Sequence, residues 1–69
     1  MKLDDIEMGS LIEGRSKEIY LLLEKGPVYF IAKYITCLGR PLNKNFGEIV
    51  ELNNHEDWVV CNDLKAEIL

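Results

Sequence analysis

The sequence predicts a mainly β fold, a small barrel or sandwich of five to six short strands around one long hairpin. Three observations lead there. Residues 17–24 (KEIYLLLE) and 28–37 (VYFIAKYITC) concentrate Ile, Val, Tyr, Phe, Thr and Leu, the side chains that fill a pleated surface. Between them, Glu24-Lys25-Gly26-Pro27 joins a permissive glycine to a proline with no N–H to give to a ladder, which reads as a hairpin connection. Further short apolar runs follow, separated by Gly, Pro and Asn turns.

In chain order, residues 1–8 form a weakly patterned terminal segment, frayed or docked, in which Leu3, Ile6 and Met8 can share one side of a helical turn. Residues 9–69 form a single small β-rich domain. Residues 9–14 (GSLIEG) read as a short strand between glycines. In the hairpin, Ile19, Leu21 and Leu23 alternate with Tyr20 and Leu22. Val28, Phe30, Ala32 and Tyr34 alternate with Tyr29, Ile31, Lys33 and Ile35. Neither strand has a clean polar face, so both faces are expected to be covered. In residues 47–52 (GEIVEL), Val50 and Leu52 oppose Ile49, and Asn53-Asn54-His55 reads as a turn. Residues 57–62 (DWVVCN) favour a strand with Trp58 and Val60 opposite Val59 and Cys61. The alternative is a β-sheet with one short C-terminal helix, an α+β fold, capped by Asn54 with Glu56 and Asp57 in its first turn. The β-branched pair Val59-Val60 counts against that helix.

The pieces GSLIEG, KEIYLLLEKGPVYFIAKY, LGRPLNKNF and GEIVELNNHEDWVV together resemble a small SH3-like barrel. The last piece is also similar to a segment of short bacteriophage accessory proteins, in which GEIVEL precedes an acidic turn and a closing apolar stretch. The resemblance spans residues 9–69 in outline and implies a binding protein. The chain lacks the aromatic pair and acidic loop with which SH3 domains hold proline-rich peptides, so that ligand is not implied.

Size and charge narrow the function. A chain of 69 residues buries only about 60% of its unfolded surface, so its core is small and a partner or other staple is expected to support it. The net charge of −4 argues against a nucleic-acid or anionic-membrane binder. No apolar run approaches the ~18 residues of a membrane span. The acidic start has no apolar leader, and a cytoplasmic location is the default expectation. Cys37 and Cys61 could form one disulfide, remain two thiols or bind a metal, and their apolar neighbours favour buried, inert thiols.

Signs of chemistry are sparse. The single histidine, His55, sits in a polar turn. No C-x-x-C spacing supports a zinc site with Cys37 and Cys61. Neither a Walker loop nor a G-x-G-x-x-G is present. The sequence therefore reads as non-catalytic, with no cofactor and no metal. Ile12-Glu13-Gly14-Arg15 matches a protease recognition tetrapeptide, flanked on both sides by strand-forming residues.

Charge is more informative than motif. Residues 1–24, 25–47 and 48–69 carry net charges of −3, +4 and −5, a basic middle between acidic ends. Within the middle, residues 38–46 (LGRPLNKNF) interleave Arg40 and Lys44 with Leu42 and Phe46, while Gly39 and Pro41 keep the stretch irregular. A connection of this length reads either as a docking loop or as a segment tucked into the core, its bases answered by the molecule's own acids. Trp58 is either core or, if exposed beside Tyr20, Tyr29 or Tyr34, the mark of a binding face. The functional expectation is a small protein–protein interaction module, an accessory or inhibitory protein of phage type. Its partner-binding residues would be Arg40, Leu42, Lys44, Phe46 and Trp58. Open strand edges would also invite self-association. The alternatives are a nucleic-acid-binding barrel using Lys25, Lys33, Arg40 and Lys44, and a structural subunit of a larger assembly.

Overall fold

The β-branched and aromatic runs fold as strands. The computed structural model describes residues 1–37 and 47–62, with the Cys37 side chain excepted. It contains β1 (Leu11–Glu13), β2 (Glu18–Lys25), β3 (Phe30–Cys37), β4 (Ile49–Leu52) and β5 (Val59–Val60). All five belong to one sheet of order β4-β3-β2-β1-β5, and every pairing is antiparallel.

Two expectations need correction. The sheet is not closed into a barrel: β4 and β5 are its two edges and do not pair with each other. Closure needs edge strands long and staggered enough to meet, and β5 has only two residues, both spent on β1. The β2–β3 hairpin also closes earlier than its composition suggests. Gly26 N–H donates to the Tyr29 carbonyl at 3.0 Å, so Val28 and Tyr29 belong to the turn and β3 begins at Phe30. At residues 59–60 the strand reading holds over the helical one, as expected where two β-branched side chains adjoin.

Alternation divides the side chains between two clusters. Ile12, Leu22, Phe30, Ala32 and Leu52 pack on one face, with Tyr20 and Val50 at the margin. Leu11, Ile19, Ile35 and Cys61 cluster on the other, with Leu21 against them. Register shifts at Ile19/Tyr20 and Leu22/Glu24 mark bulges, which increase local twist.

Leu3 and Ile6 complete the first cluster; each is at most 1% exposed. The terminal segment is therefore docked, and it belongs to the same core as the domain that follows it. Leu3 lies in a short 3₁₀ turn, Leu3–Asp5. Leu3 N–H donates to Asn54 Oδ1 at 2.6 Å, and Asn54 Nδ2 donates to Asp4 Oδ2 at 2.8 Å. Lys25 Nζ reaches the Asp4 carbonyl at 3.2 Å. The Met1 amino group donates to the carbonyls of Glu56 and, at 3.0 Å, Trp58. The segment then turns into β1 through Gly9 (φ +87°), whose N–H donates to the Leu22 carbonyl at 2.7 Å. That left-handed conformation favours glycine.

Candidate functional site

The described surface is uneven. On the face carrying Leu11 and Ile19, the sheet becomes progressively more exposed towards β4. The register aligns Leu21, Lys33 and Ile49 in one row across β2, β3 and β4, and Glu24, Ile31 and Glu51 in the next. Leu21, Lys33 and Ile31 are half-buried, whereas Ile49 is 55% exposed and Glu24 and Glu51 are exposed. The result is a mixed strip in which Lys33 lies between Leu21 and Ile49, and Ile31 in the next row lies between Glu24 and Glu51. It reaches the margin of the sheet, because β4 is an edge strand.

Backbone geometry sets what that margin offers. Tyr34 N–H donates to the Glu48 carbonyl and Gly47 N–H donates to the Tyr34 carbonyl, both at 2.8 Å, with Gly47 at φ +84°. This is a glycine-initiated bulge, with two residues of the incoming strand opposing one. It fixes the phase of the ladder. Antiparallel pairs alternate between hydrogen-bonded and non-hydrogen-bonded. Since Glu48 is bonded, Val50 opposite Ala32 and Leu52 opposite Phe30 are bonded too. Ile49 and Glu51 consequently direct their N–H and C=O groups away from β3, along the outer edge.

The opposite margin is finished differently. Cys61 N–H donates to the Leu11 carbonyl at 2.9 Å, and Leu11 N–H donates to Asn62 Oδ1 at 2.8 Å. Beside β5, Arg15 Nε donates to Asp57 Oδ2 at 2.5 Å across the exposed surface. That hydrogen bond, reinforced by the guanidinium charge, holds the Asp57 carboxyl below the usual carboxylate range.

Trp58 occupies the core; it is 3% exposed and takes no part in a surface patch. Its indole N–H donates to the Asn53 carbonyl at 2.8 Å. Its ring stacks on His55 with centroids 4.5 Å apart and meets Tyr20 edge-on at 5.9 Å. Tyr20 in turn meets Tyr34 edge-on. The aromatic grouping expected from the sequence thus exists, but it is part of the packing against the sheet. Arg40, Leu42, Lys44 and Phe46 lie outside the described residues. Cys61 is buried, and the Cys37 side chain is not described. Ile12 and Glu13 of the protease tetrapeptide are held between β2 and β5.

Sequence reasoning missed Asn54 and the outer edge of β4. Asn54 reads as one turn asparagine among several; its role follows only from the docking of Leu3 and Asp4. For β4, the alternation of Ile49 against Val50 and Leu52 was visible, but not which strand would be left at the margin. Among the described residues no pocket is formed, no three His, Cys, Asp or Glu side chains converge to hold a metal ion, and no helix is long and apolar enough to cross a membrane. No protein-family model, curated protein or solved structure matches the chain.

Proposed function

We propose that this chain is a small non-catalytic protein–protein interaction module, acting in the cytoplasm as an accessory or inhibitory protein of the phage type. One observation carries the reading: Leu21, Ile31 and Ile49 place apolar side chains on one face of three adjacent strands, among Lys33, Glu24 and Glu51, up to the edge of the described sheet. Single exposed apolar residues are ordinary on protein surfaces, whereas several on one face that reach an edge mark interaction sites. Val28, 84% exposed at the tip of the β2–β3 turn, adds an apolar side chain on the same hairpin. The interleaved bases and apolar residues Arg40, Leu42, Lys44 and Phe46 immediately precede β4 in sequence. They are proposed as a second element of the docking surface.

Affinity capture from the native host tests this reading, comparing the parent chain with Ile49→Asp and Arg40→Glu. Ile49 is already mostly exposed, so its replacement by Asp leaves the fold intact and removes only the apolar end of the strip. A specific protein partner that is lost with Ile49→Asp supports the proposal. Retention of the same partner by both variants would remove the assigned surface, and the absence of any specific partner would remove the module itself.

A further inference from the structure

We infer that the outer edge of β4 accepts an extended, basic segment of a partner protein by strand addition, extending the sheet at its open end. The inference rests on the interaction-module reading and specifies how the partner is held. Edge strands are the usual template for an incoming peptide, with main-chain hydrogen bonds supplying affinity and alternate side chains supplying selectivity. Here the main-chain groups on offer are those of Ile49 and Glu51, two residues apart and about 7 Å along the strand. The bulge at Gly47 and Glu48 marks where the regular ladder of β4 begins.

Side chains then select the partner. An added strand brings one residue beside Glu51 and another, two positions away, beside Ile49, both on the face that carries the mixed strip. Glu51 and Glu24 flank Ile31 there and are exposed, so a Lys or Arg is favoured beside Glu51 and an apolar residue beside Ile49. The residue between them falls on the opposite face, next to Val50, which packs against the main core cluster. The partner pattern is therefore basic, small or apolar, apolar, in extended backbone.

Charge also argues against a second copy of this chain as the occupant. Residues 47–54 contain Glu48 and Glu51 and no base. A β4–β4 pairing would bring the two Glu51 side chains to one face of the seam and the two Glu48 side chains to the other, with no cation from either strand to answer them, and like charges at such close quarters oppose pairing. The β5 edge is the weaker candidate. It has two residues, and the Met1 amino group already occupies the carbonyl of neighbouring Trp58.

The test is residue-resolved amide hydrogen exchange on the full chain, with a ten-residue peptide repeating Lys-Ala-Val-Ala as the basic probe. A peptide of equal length repeating Glu-Ala-Val-Ala serves as the acidic counterpart. At saturation the basic peptide should slow exchange at Ile49 and Glu51 by at least about fivefold, while Val50 and Leu52, already bonded to β3, change little. Glu51→Lys should weaken the basic peptide and strengthen the acidic one, each on the order of threefold. Three results would overturn the inference. These are unchanged exchange at Ile49 and Glu51, equal protection by both peptides, and protection without peptide that grows with protein concentration, which would identify a second copy. If exchange is unchanged while a captured partner is still lost with Ile49→Asp, strand addition fails and the interaction module stands.

Discussion

The two edges of the sheet are finished by opposite means. The β5 side is tied down: two residues pair with β1, Asn62 caps Leu11, and the N-terminal segment fills the core beneath Trp58. On the β4 side no described strand pairs with the outer edge, which has four residues, an exposed Ile49 and main-chain groups aimed outward. A protein this small has little apolar area to spare, and its terminal segment packs on the face shared by Leu52 of β4 and Trp58, not along the outer edge of β4. Natural edges are usually blunted by shortness, charge or cover. β5 is short and tied down by its neighbours, whereas β4 relies on Glu48 and Glu51, a protection that a basic partner would turn into attraction.

Core and surface substitutions should separate sharply. Leu3→Ala removes a fully buried side chain from the main core cluster and is expected to cost about 2–5 kcal/mol. Ile49→Asp on the open side should stay within about 0.5 kcal/mol of the parent. Urea denaturation of both variants checks the pair; similar losses would mean that Ile49 is packed as well.

The next largest effect should come from the clamp on the terminal segment. Asn54→Ala deprives Leu3 N–H and Asp4 Oδ2 of their partner and is expected to cost about 1–3 kcal/mol. Exchange at the Leu3 amide should quicken more than at Val50, because Leu3 N–H is bonded to Asn54 itself whereas Val50 is bonded to Ala32. An equal change at both amides would contradict a local clamp.

A smaller gain is expected in the β1–β2 turn. Lys17 sits at φ +65°, and its N–H donates to the Gly14 carbonyl at 3.2 Å. A left-handed residue other than glycine costs about 1–2 kcal/mol, partly offset by the greater freedom of glycine in the unfolded chain. Lys17→Gly should therefore raise the melting temperature slightly, as thermal unfolding followed by circular dichroism would show.

The smallest effect is electrostatic. Arg15 lowers the Asp57 pKa in the folded state, so the pair contributes stability above the unfolded carboxylate pKa of about 3.9. That contribution is lost as pH falls through the lower folded-state value. Both groups are exposed and screened by solvent. Arg15→Ala should slightly lower stability at neutral pH, flatten the acid limb of a stability–pH curve, and leave stability unchanged below the folded-state pKa.

Much of the fold was legible because its strands are built from β-branched and aromatic residues. The face assignments of Phe30, Ala32 and Tyr34 against Ile31 and Lys33, and of Val50 against Ile49, follow directly from period-two alternation. Bulges are invisible to that rule, since one inserted residue leaves no compositional trace, and Leu23 and Ile35 fall at such irregularities. The closing of a barrel was misread because strand count does not report strand length, and a two-residue β5 cannot supply the missing seam. The docking of residues 1–8 was only half legible: Leu3 and Ile6 are too few to define a period, and the partner that fixes them, Asn54, is 51 residues from Leu3. Trp58 could be read either way until its neighbours were known. The open edge belongs to strand order, which no local pattern encodes.

The contrast between the edges can be measured most directly by amide hydrogen exchange in the chain alone, without any partner. Val50 and Leu52 should exchange slowly, with Ile49 and Glu51 near the rate of unstructured peptide, while Leu11 and Cys61 on the closed side remain protected. Strong protection of Ile49 and Glu51 in the dilute chain would show that the β4 edge is already covered, and would contradict its assignment as the open, partner-accepting side.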